Sequence, residues 1–275
     1  MRALRMAGLV VAYAVVLLGA AAVAVPIYWM FSSALKTSPE ILAIPIRWLP
    51  SQPRFNNFAD AWNSAPFYHY LFNSLFVALA VTLSTLLFAS LTGHALAKFS
   101  FPGRDVCFGF VLSTMMIPFS VIIIPLFVLV RDLGWMNSYY ALIVPAGVSA
   151  FGIFLMRQFI MTLPDELLDA ARIDGASEPS IFRVIVLPLT KPALATLALL
   201  TFMNNWDSFL WPLVVTTGDT YRTLPVGLAA FQTQYVTHYE WIMAVATLVT
   251  LPVFALFLGL QRYFVQGIVM SGLKG

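Results

Sequence analysis

Apolar and polar positions fall in long blocks along this chain. From about residue 7 to residue 31 no charge interrupts the apolar run. Runs of comparable length follow at roughly 71–97, 106–130, 139–160, 187–215 and 241–264. About 20 apolar residues in a helix cross a ~30 Å hydrocarbon core, so the pattern predicts an all-α, polytopic membrane helical bundle with six transmembrane helices. The first run could be read as a cleavable signal, but it exceeds the ~7–15 residues of a signal core and continues through Tyr28 and Trp29, so it is taken as a retained helix. Residues 36–70 carry Pro39, Pro45, Pro50, Pro53 and Pro66 among polar side chains and read as a loop that cannot be one long helix.

One polar island breaks the pattern at 164–188, PDELLDAARIDGASEPSIFRVIVLP. Pro164 suits the first helical position, and Asp165 and Glu166 put negative charge at the positive end of the helix dipole. Leu167, Ala170, Ala171 and Asp174 follow at helical spacing, and Gly175 comes where a left-handed residue closes a helix of about three turns. Ser177 then opens a second helix through Phe182. Ala170, Ala171 and Gly175 make a surface almost without side-chain bulk, rimmed by Asp165, Glu166, Asp169, Arg172 and Asp174. Such a face suits insertion in a partner's cleft. The competing reading is a helix lying on lipid headgroups, but those favour Lys and Arg, and this one is mostly acidic.

Composition agrees with a membrane protein: 60% of the 275 residues are hydrophobic, 10% are charged, and the mean hydropathy is +0.87. A soluble domain carries about a quarter charged residues. The net charge of +3 is scattered, with no basic stripe, which excludes a nucleic-acid binder. Basic residues report orientation instead. With the N-terminus inside, ten Lys and Arg fall on the cytoplasmic side (Arg2, Arg5, Lys98, Arg104, Arg157, Arg172, Arg183, Lys191, Arg262, Lys274) and five outside (Lys36, Arg47, Arg54, Arg131, Arg222). Both termini and the segment 164–183 are then cytoplasmic. The lone Cys107 excludes an intrachain disulfide and reads as inert packing. No second soluble domain is visible, so 1–275 reads as a single transmembrane domain.

The spacing Asp169-Ala170-Ala171, three residues, Gly175, nine residues, Ile185-x-Leu187-Pro188 resembles the EAA loop of membrane-spanning subunits of ABC-type importers. The resemblance implies a coupling helix docked on a cytoplasmic ATPase, with Glu166, Asp169, Ala170, Ala171, Arg172, Asp174, Gly175, Ile185, Leu187 and Pro188 at that contact. One departure is Asp169, where the family name has Glu; it keeps the carboxylate on a shorter arm. Residues 116–145, the stretch NWDSFLWP at 205–212 and the tail QRYFVQGIVMSGLKG at 261–275 are similar to the carbohydrate-uptake branch, and most to its smaller, maltose-transporter-like subunit. That likeness implies a bacterial-type inner-membrane complex with a second permease subunit, an ATPase dimer and an extracytoplasmic solute-binding protein. It implies no cofactor or metal on this chain, ATP and Mg belonging to the ATPase. It also implies a tail, Ser271, Gly272, Leu273, Lys274 and Gly275, that reaches the ATPase; an ordinary frayed terminus is the plainer reading. An external loop at 218–239 would probe the binding protein with Thr220, Tyr221, Gln232, Gln234 and Tyr235, although any membrane-exit loop holds such residues.

Polar groups inside spans are costly and are candidates for the transport path. Asp207 with Asn204, Asn205, Trp206 and Trp211 could form a platform for sugar hydroxyls, or the tryptophans could belong to the interfacial belt. Asn73 could line a path or bond across helices. His94, near the inner end of the second span, reads as a packing residue with its polar needs met rather than a proton relay. The sequence holds no phosphate loop, no HExxH and no GxSxG, so it does not read as an enzyme. Two alternatives remain at this point: the same type of permease for a polyol-phosphate or glycerophosphodiester, and a self-sufficient secondary transporter, which would need midplane carboxylates and an inverted repeat.

Overall fold

A computed structural model describes residues 2–234 and 238–272, and among them only helices form. In chain order these are α1 (Arg2–Ala34), α2 (Ser38–Ile41), α3 (Asn56–Asn63), α4 (Phe67–Lys98), α5 (Arg104–Met115), α6 (Phe119–Asp132), α7 (Tyr139–Ile143), α8 (Ala150–Met161), α9 (Asp165–Ile173), α10 (Glu178–Ile181), α11 (Leu187–Leu189), α12 (Lys191–Trp206), α13 (Leu210–Val215), α14 (Leu224–Gln234) and α15 (Tyr239–Gly272), with a π-helical segment Phe182–Val186 between α10 and α11. The chain divides into two compact units, 1–68 with 227–251 and 69–226 with 252–275.

Unbroken helices carry the first, second and sixth apolar runs, as α1, α4 and α15. The third run is the pair α5 and α6, bent by 99°, and the fifth is α10 to α11 followed by α12, bent by 76°. The all-α class holds, and three of the six apolar runs are each broken into shorter helices. Proline is the physical reason in each case. Pro118 sits extended at the start of α6 (φ −62, ψ 141) and pushes its predecessor out of the helical region. Pro145 follows the end of α7 and splits the fourth run into α7 and α8. The fifth run breaks at Thr190, two residues before Pro192, and again at 207–209, ahead of Pro212. Pro26, Pro125 and Pro252 are tolerated inside helices.

In the first unit the 36–70 stretch is a folded cap rather than a bare loop. Lys36 is fully buried; its Nζ donates to the Arg47 carbonyl at 2.6 Å and lies 4.1 Å from the Trp29 ring. Burial pulls its ammonium pKa down, partly opposed by Glu40. Asn57 donates to the carbonyls of Ala34 and Lys36, and Ser38 donates to Glu240.

The second unit is built on α4 and α8. Gly93 of α4 lies so close to α8 that a β-carbon there would stand 2.9 Å from Met156 Cβ and from the Arg157 backbone nitrogen. Small residues at such crossings let helix backbones approach where lipid offers no hydrophobic drive. Arg157 adds a tie, donating to the Leu96 carbonyl while its guanidinium lies 3.9 Å from the Phe108 ring on α5. One apolar core gathers Met156, Ile160, Leu168, Ile181, Val186 and Leu197; a second gathers Val77, Val81, Val130, Leu142, Trp211 and Val215. Much of α5 and α6 is left facing outward, Val106, Phe110 and Ile124 among the most exposed. Cys107 is exposed as well, so its expected packing role is not observed.

Candidate functional site

The polar island forms a compact elbow. α9 begins at Asp165 with Pro164 extended in the capping position (φ −58, ψ 132), one residue earlier than the expected first helical position. Its start is tied to the end of α4: Lys98 Nζ donates to the Leu163 carbonyl and to Asp165, both at 2.6 Å. α9 then closes in a Schellman turn, with Ala176 N donating to the Ala171 carbonyl at 2.9 Å and Gly175 N to the Arg172 carbonyl at 3.0 Å. Gly175 takes φ +82, as the sequence predicts, and no atom lies within 4 Å of where its β-carbon would be.

Arg172 clamps the elbow shut. Its Nη1 donates to Asp169 at 2.7 Å and its Nε to Glu178 on α10 at 2.7 Å. The pairing pushes the guanidinium pKa up and, chiefly through that hydrogen bond, holds the Glu178 carboxyl below its usual range. Stability from a depressed carboxylate is present above its unfolded value and fades only as pH falls through the folded one, so the clamp is closed at neutral pH. These groups are exposed enough that each pair is worth about 1 kcal/mol or less. Ser177 sits extended at the head of α10, as expected, but its side chain makes no capping bond.

The two faces of α9 differ. Leu168 is buried and Ala171 packs beside it on the core with Ile185 and Leu187, while Leu167, Ala170 and Ile173 form an exposed stripe, Ile173 at 86% exposure. The bare surface is therefore narrower than the sequence suggested. It consists of Ala170 and Gly175 flanked by Leu167 and Ile173, because the spacing Leu168 to Ala171 turns the second alanine inward. Glu166, Asp169, Asp174 and Pro188 are exposed. Behind the elbow, His94 is 5% exposed with Phe99 and Phe182 rings at 5.3 Å, and neither ring nitrogen has a hydrogen-bond partner among the described residues. It is packed, but its polar needs are not met.

A second feature lies away from the elbow in the same unit. A cavity of about 710 Å³ is lined by Val77, Phe119, Ser149, Asn204, Asn205, Ser208, Trp211 and Thr223 among others. The break between α12 and α13 supplies Asn204, Asn205 and Ser208, and the Trp211 Nε1 is spent on the Ala141 carbonyl at 2.9 Å. Of the residues expected on a transport path, Asn204, Asn205 and Trp211 do line this cavity; Trp206, Asp207 and Asn73 do not. Trp206 is buried and stacked on Phe202. Asp207 caps α12 and is exposed. Asn73 is a strut: its amide donates to the Thr220 and Arg222 carbonyls at 2.9 Å each and accepts from Tyr139 at 2.7 Å. Tyr70 and Ser74 brace the same segment through Asp219 and the Leu224 amide. Sequence reading missed Phe119, Ser149, Ser208 and Thr223; only Ser208, inside NWDSFLWP, lay next to residues it had singled out.

Residues 85–270 match the profile of the family described as binding-protein-dependent transport system inner membrane component. The chain belongs to that family. Over 253 residues, 91% of each chain, this permease is 39% identical to the arabinooligosaccharides transport system permease protein AraQ of Halalkalibacterium halodurans. It is 35% identical over 267 residues to the sn-glycerol-3-phosphate transport system permease protein UgpE of Yersinia enterocolitica, covering 94% of this chain and 95% of that one. Its fold matches a chain in the crystal structure of a bacterial ABC transporter that imports the acidic polysaccharide alginate, with a TM-score of 0.83, 26% identity, and 96% and 98% of the two chains covered. The permease is thus a membrane component of an ABC import system, a transport subunit.

The other expected contacts of the permease are placed as follows. The 218–239 segment is not a plain loop, since α14 occupies its middle. Thr220 is exposed, Tyr221 stands edge-on to Tyr139 at 5.0 Å, and Gln232 and Gln234 are exposed on α14. Tyr235 lies outside the described residues. Of the tail, Ser271 and Gly272 end α15, while Leu273, Lys274 and Gly275 lie outside the described residues.

Proposed function

We propose that the permease moves a carbohydrate across the inner membrane of a bacterial cell, driven by a separate ATPase dimer that grips the α9 elbow from the cytoplasm. The observation that carries this reading is the elbow itself: a short helix with an exposed Leu167, Ala170 and Ile173 stripe, fixed to α10 by the Arg172 clamp and tied to α4 by Lys98. A push on α9 passes through these contacts to the spanning helices, the kind of rigid-body switching that alternating access needs. In this reading ATP and Mg are held by the partner, a second permease completes the bundle, and an extracytoplasmic binding protein delivers cargo to the side bearing Thr220 and Tyr221. Both termini are cytoplasmic, and residues 271–275 reach the ATPase.

The name of the AraQ relative favours an oligosaccharide cargo, and that of UgpE favours a glycerol phosphate. A secondary transporter has less support: among the described residues no carboxylate lines the cavity to hold a coupling ion.

Gly175→Val and Gly175→Asn test the drive. Space is open at this position, so the left-handed backbone alone decides, and a β-branched residue tolerates it far worse than asparagine. In cells expressing the whole transporter, the valine variant is expected to reach the membrane at normal level yet lose at least about tenfold in ATP-dependent uptake of labelled cargo, with the asparagine variant near wild type, a factor corresponding to ~1.4 kcal/mol. Normal uptake by the valine variant sinks the proposal.

A further inference from the structure

The cap that follows α1 does not stand clear of the membrane boundary. α1 leaves its apolar run through Tyr28, Trp29 and Phe31, the kind of aromatic edge that marks the border between hydrocarbon and headgroups. After α1 ends, the chain turns back to that level. The Trp48 carbonyl accepts from the Tyr28 hydroxyl at 3.0 Å and from Ser32, and the Trp48 ring lies 6.4 Å from Tyr28 and 5.7 Å from Trp29. Lys36 holds the Arg47 carbonyl, and the Arg54 amide donates to the Leu35 carbonyl at 3.0 Å. Residues 47, 48 and 54 are therefore pinned against the last turns of α1 and the residues just after it.

What is pinned there is apolar on its open side. Ile46, Trp48 and Leu49 are exposed, Leu49 at 71%, and they continue the bare surface of α1, whose spanning window has no residue buried. An exposed apolar patch of this kind marks a contact with a membrane or with another protein. The charge beside it decides between them. A groove of about 470 Å³ in the cap is lined by Thr37, Glu40, Arg47, Ser51, Gln52 and Arg54 among others. Glu40 is turned to the cap's own backbone, accepting from the Ser51 amide at 2.6 Å and from the Thr37 amide at 3.4 Å. Arg47 spends one nitrogen on the Ser51 hydroxyl at 3.2 Å, and the exposed Arg54 makes no hydrogen bond through its side chain among the described residues. Two guanidiniums with donors to spare, at headgroup height and beside apolar side chains, match the order of groups in an anionic phospholipid: phosphodiester outside, acyl chains within. A water-soluble partner would cover the groove but not the bare side of α1 below it.

We infer that the cap binds an anionic phospholipid, its phosphodiester in the groove lined by Arg47 and Arg54 and its acyl chains running past Trp48 and Leu49 along α1. Thr37, Ser51 and Gln52 offer polar groups to the headgroup's hydroxyls. A zwitterionic lipid brings a cation of its own against the two arginines and is held less well. The site stands whether or not the elbow takes the drive. To test it, the complete transporter is placed in phosphatidylcholine nanodiscs carrying a trace of phosphatidylglycerol with a photoactivatable group beside its acyl ester, or of phosphatidylcholine with the same group, and crosslinked peptides are mapped by mass spectrometry. The phosphatidylglycerol probe is expected to label residues 46–55 at least about fivefold more than the phosphatidylcholine probe, and unlabelled phosphatidylglycerol to compete. Arg54→Gln, which removes no side-chain bond within the cap, should lower that labelling about fivefold, the scale of one arginine near an anionic lipid surface. Adding Arg47→Gln should abolish the preference. Equal labelling by the two probes, or a preference that survives the double variant, overturns the inference. So does a 46–55 segment that neither probe labels, the outcome expected if the second permease or the binding protein covers this face.

Discussion

His94 shows how much a single side chain can contradict its surroundings. An unpaired buried polar group costs about 1–3 kcal/mol, and the ring contacts with Phe99 and Phe182 return about 0.5–1.5 kcal/mol. Leucine fills a similar volume without the polar atoms. His94→Leu is therefore expected to leave the melting temperature of the purified transporter unchanged or to raise it by a few degrees. A clear fall in a thermal-shift measurement would mean that the imidazole finds a partner in the assembled complex. From the chain alone the packing of His94 was readable, because apolar neighbours surround it in sequence. Its missing bonds were not, since they depend on side chains brought from α10 and the π segment. Asn73 teaches the same lesson from the other side: a polar residue in a span looks like a path residue until the carbonyls of Thr220 and Arg222 are seen to occupy both its donors.

At the scale of elements, the crossing of α4 and α8 depends on a missing methyl group. A β-carbon on Gly93 meets backbone and Cβ atoms at 2.9 Å, which neither helix can move without shifting whole. Gly93→Ala is expected to destabilise by about 1–3 kcal/mol, seen as a lower melting temperature, while Gly109→Ala on α5, with nothing within 4 Å of its β-carbon, should be neutral. Equal stability of the two variants would refute the close approach. The existence of most helices was legible in the apolar runs, and the elbow almost residue by residue, because caps, charges and glycine act locally. The breaks at 117–118 and 207–209 were harder to place. Pro118 and Pro212 stand at these breaks, but hydrophobicity runs straight through, and the lining of the cavity gathers residues from five separate segments.

The whole molecule leaves much apolar surface uncovered, including a first helix whose spanning window has none of its residues buried. Lipid and other subunits are the natural cover for it. The sidedness proposed from the basic residues can be measured. In a Cys107→Ser background, Ser180→Cys on α10 and Ile44→Cys, at 97% exposure, are both accessible positions. A membrane-impermeant maleimide applied to intact spheroplasts is expected to label position 44 and to reach position 180 only after lysis. Labelling in the opposite order would invert the topology and remove the elbow from the compartment that holds ATP. Family membership was already visible in one loop of about 25 residues, whereas the cavity emerged only from coordinates, since it is made by tertiary contact.

Gly175 has a last implication. It is the one point in the elbow where the chain is indifferent to its own handedness, and no side chain crowds it. Two backbone bonds and one guanidinium set its angle. On the docking proposed above, a surface closing around this open corner would confine the Gly175 backbone as well as push on it, so one contact would both stiffen the joint and load it.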